Sequence, residues 1–351
     1  MNPYYNRRRF IKNTTLAGVA FGIGSSTVNG DFRFSNVLKS EKNSITGKRI
    51  GIIGLDTSHS VAFAATLNDP SADMAFAGYK IVAAYPKGSN DIQSSIDRIK
   101  GYTEDVKNFG VEIVNSIEEL LTKVDAVLLE TNDGRLHLEQ ALQVLKSGKR
   151  IFIDKPLAAS LADAIMIFDA ARKYKVDIFS SSSLRFITGA KEIAEGKIGK
   201  VTGADTYSPA TIEKTHPDLF WYGIHGVEIL FTIMGTGCKS VVRVHNDDTD
   251  IVIGKWKDDR IGTFRGMRSG KQDFGGTVFG EKAISVLGRW EGYKPLLIEI
   301  IKFFQTGKSP VSPQETLEIY AFMEAADESK RKDGEHVTIE STFEKARMMG
   351  R

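Results

Sequence analysis

Short apolar runs rich in β-branched residues alternate with longer segments of helical character between residues 48 and 180. The first run, residues 48–55, mixes isoleucines with glycines, which is typical of a buried parallel strand leading into a tight turn. Regular alternation of strands and helices predicts βαβ units and a parallel sheet covered by helices. The predicted strands are 48–55, 79–85, 111–114, 124–130, 150–153 and 176–180, and the predicted helices are 58–67, 134–146 and 161–173.

The pattern changes after residue 200, where short strand-like segments follow one another with little helix between them. They predict a second domain of α+β class, with an open, mainly antiparallel sheet and a helix over 221–234 packed on one face. Helices near 295–305 and 314–332 would return toward the first domain. The strands of this sheet are predicted at 201–207, 240–245, 250–256, 260–266, 275–279 and 282–287.

We therefore expect an α/β protein of two domains, which a chain of 351 residues is long enough to form. Residues 47–180 would form a Rossmann-type, doubly wound parallel sheet that binds a dinucleotide. Residues 181–345 would form the α+β domain.

The charge balance argues against nucleic acid as a partner. The formal net charge is +3, but Arg7, Arg8, Arg9 and Lys12 are the only charged side chains before Asp31. Without these four, 43 basic residues face 44 acidic ones, a net charge of −1. The chain beyond its first residues has no basic excess for a polyanion or an anionic membrane surface. With a single cysteine in the sequence, no intramolecular disulfide can form.

Residues 1–30 resemble a twin-arginine export signal, because Arg7 and Arg8 precede Arg9-Phe10-Ile11-Lys12. The mildly apolar residues 16–24 that follow are too short for a membrane span and suit the central region of a signal. A basic tail without a targeting role is the alternative. We expect export of the folded protein to the periplasm, with no membrane span after the signal.

A lysine followed by proline ends the predicted fifth strand, in the tripeptide Asp154-Lys155-Pro156. In open α/β sheets, ligands bind beyond the carboxyl ends of the strands. A cation at that edge can hydrogen-bond a substrate hydroxyl and assist a proton transfer. A plain surface turn is the alternative, and the motifs on either side argue against it.

Matching motifs flank this tripeptide in a definite order along the chain. They are Thr131-Asn132-Asp133 after the fourth strand, His137 in the next helix, Gly148-Lys149 before the fifth strand, Arg185-Phe186 after the sixth strand, and His225-Gly226-Val227-Glu228 with Gly235 beyond. In order and spacing they resemble the glucose-fructose oxidoreductase, inositol dehydrogenase and rhizopine-catabolism family (Gfo/Idh/MocA). The resemblance covers about residues 47–345.

The resemblance implies an NAD(P)-dependent oxidoreductase that acts on a sugar, polyol or derivative by hydride transfer. Lys155 would polarise or orient the reacting hydroxyl, and His225 would act as general acid and base. Histidine suits that role because its ordinary pKa lies near neutrality, although a structural histidine is the alternative. The resemblance also implies a homo-oligomer formed through the free face of the second sheet.

Trp221 stands where the family often has an aspartate, four residues before the histidine. Together with Tyr222 it offers flat apolar surfaces for a sugar ring, or else both are core or interface aromatics. Arg185 would lie near the substrate, with a structural salt bridge as the alternative. No His, Cys, Asp or Glu cluster has metal-ligand spacing, so we predict no metal. We expect three other histidines to be solvated: His216, His245 and His336.

The loop after the first strand departs from the dinucleotide fingerprint, whose glycines serve the turn, the pyrophosphate and helix packing. Gly54 is retained, but Asp56 and His59 replace the second and third glycines. Asp56 would cap the following helix by accepting its backbone N–H groups. Alternatively, Thr57, Ser58 and His59 would supply side-chain donors to a displaced phosphate. The resemblance adds three further cofactor-binding residues, Thr131, Asp133 and His137.

The second strand lacks the acidic residue that would contact the cofactor ribose. Lys87 and Ser89 follow the strand instead and would contact a 2′-phosphate, which favours NADP over NAD. A solvated turn is the alternative.

Two other functions remain open. One is redox-neutral glycoside cleavage, in which tightly held NAD oxidises and then re-reduces the sugar. The other is a non-catalytic sugar-binding protein that has lost its cofactor site. Asp56, His59, Trp221 and the missing ribose-binding acid favour the binding protein, whereas Lys155 and His225 favour an enzyme.

Overall fold

The computed structural model describes residues 47–350, which lie within one compact unit, Ser44–Gly350. The predicted export signal, residues 1–30, falls outside the described residues. Within residues 47–350, no helix combines the length and the hydropathy needed to cross a bilayer.

The first sheet is parallel throughout and has the strand order β3-β2-β1-β4-β5-β6. The order reverses between β1 and β4, which is the crevice where ligands bind in open α/β sheets. Its strands are β1 Arg49–Ile53, β2 Lys80–Tyr85, β3 Glu112–Ile113, β4 Ala126–Leu129, β5 Arg150–Ile153 and β6 Ile178–Phe179. The helices between them are α1 Ser58–Asn68, α2 Gln93–Asn108, α3 Ile117–Lys123, α4 Gly134–Lys146 and α5 Leu161–Tyr174, with a short 3₁₀ turn at Met74–Phe76.

Both faces of this sheet carry apolar side chains, and helices cover both faces. Every residue of β4 is buried: Val127 and Leu129 pack on the α4 and α5 side, whereas Ala126 and Leu128 pack on the α1 side. Fully burying one such valine or leucine side chain stabilises the fold by roughly 1.5–3 kcal/mol.

The second sheet has seven strands in the order β12-β11-β7-β10-β9-β8-β13. Neighbouring strands are antiparallel except for β7 and β10, which are parallel. The strands are β7 Val201–Pro209, β8 Cys238–His245, β9 Thr249–Trp256, β10 Ile261–Met267, β11 Gly275–Gly280, β12 Ile284–Leu287 and β13 Val337–Thr338. The predicted fold class, a Rossmann-type parallel sheet followed by an α+β domain with a mainly antiparallel sheet, is therefore confirmed.

The remaining helices cover the second sheet and return to the first. They are α6 Ala190–Ala194, α7 Asp218–Trp221, α8 Ile224–Met234, α9 Lys294–Thr306, α10 Pro313–Arg331 and α11 Ile339–Met349, with a 3₁₀ turn at Ser183–Phe186. The single helix predicted over 221–234 is wrong in one respect: the chain breaks at Tyr222, whose backbone (φ −135°, ψ −31°) leaves the helical region.

Helix α9 belongs physically to the first sheet. Its Leu297, Ile300, Phe303 and Phe304 join the apolar cluster that contains Ile52 and its neighbours on β1, β4 and β5. Arg150 of β5 also donates a hydrogen bond of 2.7 Å to the carbonyl oxygen of Phe304.

Helix α10 links the two layers by polar contacts. The hydroxyl oxygen of Tyr320 accepts the backbone N–H of Leu157. The carboxylate of Glu324 accepts the N–H of Leu161 at 2.9 Å. Since both acceptors lie on α10 and both donors follow β5, these bonds hold the second layer against the carboxyl edge of the first.

A buried arginine ties α10 to the second sheet. The side chain of Arg243 on β8 has no exposed surface, and its guanidinium lies 2.8 Å from Asp250, 2.9 Å from Asp218 and 2.5 Å from Asp327. Burial raises the pKa of Asp327 to about 7, and the charge of Arg243 opposes that rise. The arginine is thus compensated by carboxylates from β9, α7 and α10.

The face of the second sheet opposite α8 carries exposed apolar side chains. In cross-strand register, Ile253 lies beside Val242 and Thr263, and Thr277 lies beside Val286. The most exposed apolar side chains on this outer face are Val244 (61%), Ile253 (39%), Ile261 (55%), Ile284 (67%) and Val286 (71%).

Candidate functional site

A cavity of about 290 Å³ opens at the carboxyl edge of the parallel sheet, where the two layers meet. The lining comes from α1, α2 and the loops after β4 and β5 on one side, and from the segments after β6 and β12, the segment before β11 and the α7–α8 region on the other. Its lining residues are Thr57, Ser58, His59, Ser94, Arg98, Asn132, Lys155, Ser183, Leu184, Trp221, Tyr222, His225, Phe274, Trp290 and Tyr293.

Gly54 makes the tight turn at the end of β1. Its φ of +91° is left-handed, and a Cβ there would lie 2.4 Å from the backbone nitrogen of Thr131. A side chain is thus excluded both by backbone strain and by the close approach of the β4 loop.

Asp56 does not cap α1, so that expectation is wrong. Its carboxylate accepts the backbone N–H of Asn132 at 3.0 Å and that of Ser89 at 3.3 Å. Asp56 therefore bridges the loops that follow β1, β2 and β4. Burial raises the pKa of Asp56, although the hydrogen bonds from Asn132 and Ser89 oppose the rise.

The N-terminus of α1 is left without a side-chain cap. Thr57 occupies the N-cap position in an extended conformation and makes no capping hydrogen bond. The buried hydroxyls of Thr57 and Thr131 have no hydrogen-bond partner among residues 47–350. Ser58 is exposed, and its hydroxyl lies 3.3 Å from that of Tyr293.

The loop after β2 is held by carboxylates. The Ser89 hydroxyl lies 2.9 Å from oxygens of both Asp91 and Asp133, and Arg135 pairs with the same two carboxylates. Lys87 is exposed beside this network. Burial raises the pKa of Asp133, but the hydrogen bonds and charge of Arg135, together with the hydrogen bond from Ser89, outweigh burial, so the pKa is lowered.

His137 lies outside the cavity lining and connects two loops. Its buried ring places Nε2 at 2.6 Å from the carbonyl oxygen of Thr131 and Nδ1 at 3.2 Å from that of Leu157. Burial lowers its pKa, so the neutral ring donates to one of these carbonyls and positions the loops after β4 and β5.

Lys155 lies at the carboxyl end of β5 and lines the cavity with 9% of its surface exposed. The Lys155–Pro156 peptide bond is cis. Because Lys155 lines the cavity, its ammonium group is available to a ligand bound there.

His225 reaches the same cavity from the first turn of α8. Its Nδ1 lies 2.6 Å from the hydroxyl oxygen of Ser182, which also accepts the N–H of Leu184 at 3.1 Å. Burial lowers the pKa of His225 well below its ordinary value, and the positive charge of Lys155 lowers it further. The imidazole is neutral near pH 7, and the tautomer that donates from Nδ1 to Ser182 leaves Nε2 free to accept a proton.

Aromatic rings form the walls of the cavity. The ring of Tyr222 lies 5.0 Å from that of His225, and Phe274 lies 5.8 Å from it on another side. Trp290 and Tyr293 pack edge to face at 5.0 Å, and Trp221 completes the lining. Such rings suit the apolar faces of a sugar or cyclic polyol, with polar groups left to contact its hydroxyls.

Arg185 does not line the cavity, in contrast to its predicted place near the substrate. Its guanidinium pairs with Glu228 at 2.7 Å and with Glu315 at 2.6 Å, and its side chain is only 11% exposed. These two carboxylates take up its charge, so the structure favours the salt-bridge alternative.

His216 is buried, so its predicted solvation is wrong. Its side chain has no exposed surface, and its ring packs 5.0 Å from that of Trp221. The sequence around His216 is polar, but the residue lies just before α7, and its ring is buried against Trp221 at the end of that helix. His245 and His336 are exposed, as predicted.

Three titratable side chains converge below the cavity: His59 from α1, Glu130 after β4 and Asp154 after β5. One ligand atom of each lies within 4.8 Å of the others. Nδ1 of His59 lies 2.9 Å from Asp154 Oδ2 and 3.8 Å from Glu130 Oε2. Burial raises the pKa of Glu130 well above its ordinary value, and the charge of Asp154 raises it further.

The prediction of no metal site rested on spacing, which did not indicate this group. Its members come from three separate strand ends and meet only at the edge of the sheet. The sequence also missed the cavity residues Ser94, Arg98, Phe274, Trp290 and Tyr293. For Trp290 and Tyr293 the sequence did offer a signal, because both aromatic residues stand close to glycines in the segment 288–293.

The structure joins a Rossmann-type parallel layer to a mixed, mainly antiparallel sheet, and the cavity lies where the two layers meet. Residues 48–181 match the Gfo/Idh/MocA family model, described as an oxidoreductase family with an NAD-binding Rossmann fold. The match is confined to the residues of the parallel-sheet layer, and it is a similarity of that part of the chain.

A curated relative is 1,5-anhydro-D-fructose reductase of Ensifer adhaerens, 37% identical over 100 residues. That match spans 27% of this chain and 30% of the relative, so the chain matches less than a third of the reductase's length. An uncharacterized oxidoreductase of Streptococcus pneumoniae is 30% identical over 121 residues, 33% of this chain and 32% of the relative.

Solved structures match nearly the whole described fold. A probable dehydrogenase from Thermotoga maritima has a TM-score of 0.68 at 20% identity, covering 84% of this chain and 99% of that one. Myo-inositol dehydrogenase from Lactobacillus casei, solved with NAD(H) and myo-inositol, has a TM-score of 0.65 at 17% identity, covering 83% and 96%. At these identities the likeness shows the fold.

Proposed function

We propose that this chain is an NAD(P)-dependent oxidoreductase that acts on a sugar, polyol or derivative. The observation that carries the proposal is the placement of Lys155 and a neutral His225 on one aromatic-walled cavity at the carboxyl edge of the parallel sheet. The cavity of about 290 Å³ suits a compact ligand, since small-molecule sites span roughly 300–1,000 Å³. The family match of residues 48–181 supports the oxidoreductase class.

The residues around Gly54 fit a dinucleotide phosphate. The uncapped N-terminus of α1 and the unpartnered buried hydroxyls of Thr57 and Thr131 are donors of the kind that stabilise phosphate. Asp56 is turned away from α1 toward the N–H groups of Ser89 and Asn132, so its carboxylate is held by other donors. Thr57 and Thr131 would hold the phosphate, with Lys155 and His225 at the reacting end.

The cofactor, when bound, supplies the hydride acceptor for oxidation of a hydroxyl-bearing carbon. Lys155 donates a hydrogen bond to the oxygen of that hydroxyl and stabilises the negative charge that develops on it. His225 accepts the hydroxyl proton at Nε2, and Ser182 fixes its ring through Nδ1. In the reverse direction, the protonated His225 returns the proton to the carbonyl oxygen.

NAD is favoured over NADP by the loop after β2. Lys87 is available to a 2′-phosphate, but the Ser89 hydroxyl lies 2.9 Å from both Asp91 and Asp133. Arg135 pairs with both carboxylates but carries only one positive charge, so the group keeps a net negative charge that would repel a phosphate. We therefore infer that the NADP preference expected from the sequence does not hold.

The second candidate is a sugar-binding protein without redox activity. The observation that favours it is the Asp56 bridge to Ser89 and Asn132, which spans the edge where the adenosine half of a dinucleotide crosses the strands. Redox-neutral glycoside cleavage would use Lys155 and His225 with a cofactor that returns to its starting state.

The deciding experiment is mass spectrometry of the supernatant from denatured protein, followed by titration with NAD and NADP. We expect NAD, either bound stoichiometrically or taken up on titration. Lys155→Met should abolish turnover of polyols and still bind NAD. Asp56→Gly should bind the dinucleotide more tightly, since the bridge is lost.

A protein that is empty and binds neither dinucleotide would overturn the oxidoreductase and leave the binding protein. A glycoside cleaved without net change in bound NAD would identify the redox-neutral reaction instead.

We also propose that the protein is exported folded to the periplasm by the twin-arginine route, on the basis of Arg7, Arg8 and the residues that follow. Replacing both arginines with lysine should leave the protein in the cytoplasmic fraction. A homo-oligomer through the outer face of the second sheet is supported by Ile284 and Val286, which are neighbours on β12 and exposed, while Val244 is exposed on β8 near the opposite edge of the same face. Exposed apolar side chains grouped on one face mark a candidate interaction surface.

A further inference from the structure

The polar atoms of His59, Glu130 and Asp154 are arranged unlike those of an ordinary ion pair. Both carboxylate oxygens of Glu130, both of Asp154 and Nδ1 of His59 are buried, and within residues 47–350 none of the five has a hydrogen-bond partner. Nδ1 of His59 lies 2.9 Å from Asp154 Oδ2. Burial raises the pKa of Asp154, but this contact and the charge of Lys155 outweigh it, so Glu130 is the less compensated of the two carboxylates. Leaving such a group unsatisfied costs about 1–3 kcal/mol, and more when it is charged.

Charge adds to this cost. The side chains of Glu130 and Asp154 are both 0% exposed, and His59 is the only histidine within 4 Å of either carboxylate among the described residues. Buried charges in proteins are paired or coordinate metals, because an isolated buried carboxylate is strongly destabilising. A single cation held between the three side chains would satisfy all of them.

We propose that His59, Glu130 and Asp154 form a binding site for a divalent transition-metal ion, with Zn²⁺ as the ion that the ligands suit best. One imidazole nitrogen and two carboxylate oxygens are ligands that Zn²⁺ accepts, and sites with three protein ligands keep a position open. Mg²⁺ prefers oxygen ligands and retains its waters. His59 lines the cavity, so the ion is reached from the side on which Lys155 lies. Binding of the ion does not depend on the proposed function.

The competing arrangement replaces the metal with a proton on Glu130, leaving His59 to pair with Asp154 alone. Glu130→Gln distinguishes the metal-bound arrangement from the protonated one, because glutamine resembles the protonated carboxyl group but is a poor metal ligand. A proton-only arrangement tolerates this change and takes up no metal before or after it.

The test uses the full chain, produced with and without added Zn²⁺ and dialysed before its metal content is measured. We expect one equivalent of Zn²⁺, visible absorption of bound Co²⁺ typical of nitrogen and oxygen ligands, and a thermal midpoint raised by Zn²⁺ but not by Mg²⁺. Glu130→Gln and His59→Asn should each weaken binding at least about 10–100-fold, the loss typical even of outer-sphere partners. His336→Asn, a change at an exposed histidine, is the matched control and should bind as the wild type does.

Three results would overturn the proposal. One is a wild-type chain that takes up neither Zn²⁺ nor Co²⁺. Another is unchanged affinity in Glu130→Gln. The third is thiolate charge-transfer absorption from Co²⁺, which would place the ion at the buried Cys238 instead. If the cluster variants fail to fold, the stoichiometry and the Co²⁺ spectrum of the wild type decide alone.

Discussion

Nε2 of His216 lies 3.4 Å from Oδ1 of Asp133, so a histidine of the second domain faces the loop that follows β4. Asp133 also caps α4 and accepts the Arg135 guanidinium, and His216 packs against Trp221. This contact connects the aromatic wall of the cavity to the parallel sheet.

His216 should make the protein less stable in mild acid. Burial lowers its pKa to about 4, with Asp133 opposing that effect. Between about pH 4 and its unfolded pKa of about 6.5, the unfolded chain binds a proton that the folded chain does not, so stability falls as the pH falls. The contribution of His216 to this loss from pH 7 to pH 5 should be about 1–2 kcal/mol. Protonation of Asp327, whose pKa burial raises to about 7, stabilises the folded chain over the same range and opposes it.

Urea unfolding at the two pH values measures this loss. Relative to the wild type, His216→Gln should lose about 1–2 kcal/mol less free energy of unfolding between pH 7 and pH 5. His245→Gln, at an exposed histidine, should keep the pH dependence of the wild type. Equal pH dependence in the wild type and in His216→Gln would show that His216 is not held neutral.

Ser182→Ala should lower kcat with little change in KM. The variant removes the partner of His225 Nδ1, so the ring loses its fixed orientation while the walls of the cavity stay in place. Misplacement of a reacting group by about 1 Å costs up to about 100-fold. Steady-state kinetics measure the effect, and Ser181→Ala, whose hydroxyl contacts Glu228, is the control. A loss confined to KM would contradict the positioning role.

Arg243→Met should destabilise the fold strongly. Asp327 would be left buried without its cation, and Asp250 would keep only its pair with Arg268. Breaking a buried ion pair in this way costs about 3–5 kcal/mol. Arg49→Met removes the half-exposed pair with Asp125 and should cost less than about 1 kcal/mol. Chemical unfolding of both variants gives the comparison. Similar losses would show that the Arg243 cluster contributes no more than a surface pair.

Val286→Asp should convert the proposed oligomer to a monomer. Val286 is 71% exposed on the outer face of the second sheet, and a carboxylate there would be desolvated in the interface. Light scattering after size exclusion measures the mass. Met74→Asp changes a 94% exposed apolar side chain elsewhere and should leave the mass unaltered. A wild-type protein that is already monomeric would refute this interface.

The sequence predicted the layers because strand and helix periodicity depend on local patterning. The fifth strand is predicted at residues 150–153 and runs over Arg150–Ile153. The second sheet is recognised equally well, although β13 joins its edge from far along the chain. Periodicity does not predict which hydrogen-bond partner a polar side chain in a loop will have, because that partner comes from another loop that is distant in the sequence.

That limit explains what the sequence could not show about the site. Asp56 has cap-like chemistry, yet its carboxylate turns to the loops after β2 and β4. Likewise, the sequence shows His59 only as a replacement for the third glycine of the fingerprint. Glu130 and Asp154 come close to it because the ends of three strands lie side by side at the edge of the sheet. Neither arrangement has a signal at fixed spacing along the chain.

Helix α9 has a consequence for how such a protein can change over evolution. Its Leu297, Ile300 and Phe303 complete the apolar core of the first layer, although the chain reaches them only after building the second sheet. A gene fragment encoding residues 47–180 would therefore leave that core open to water. Exchange of one layer by recombination would remove apolar side chains from the core of the other layer. We therefore expect the two halves of the cavity to be inherited together and to diversify by point substitution.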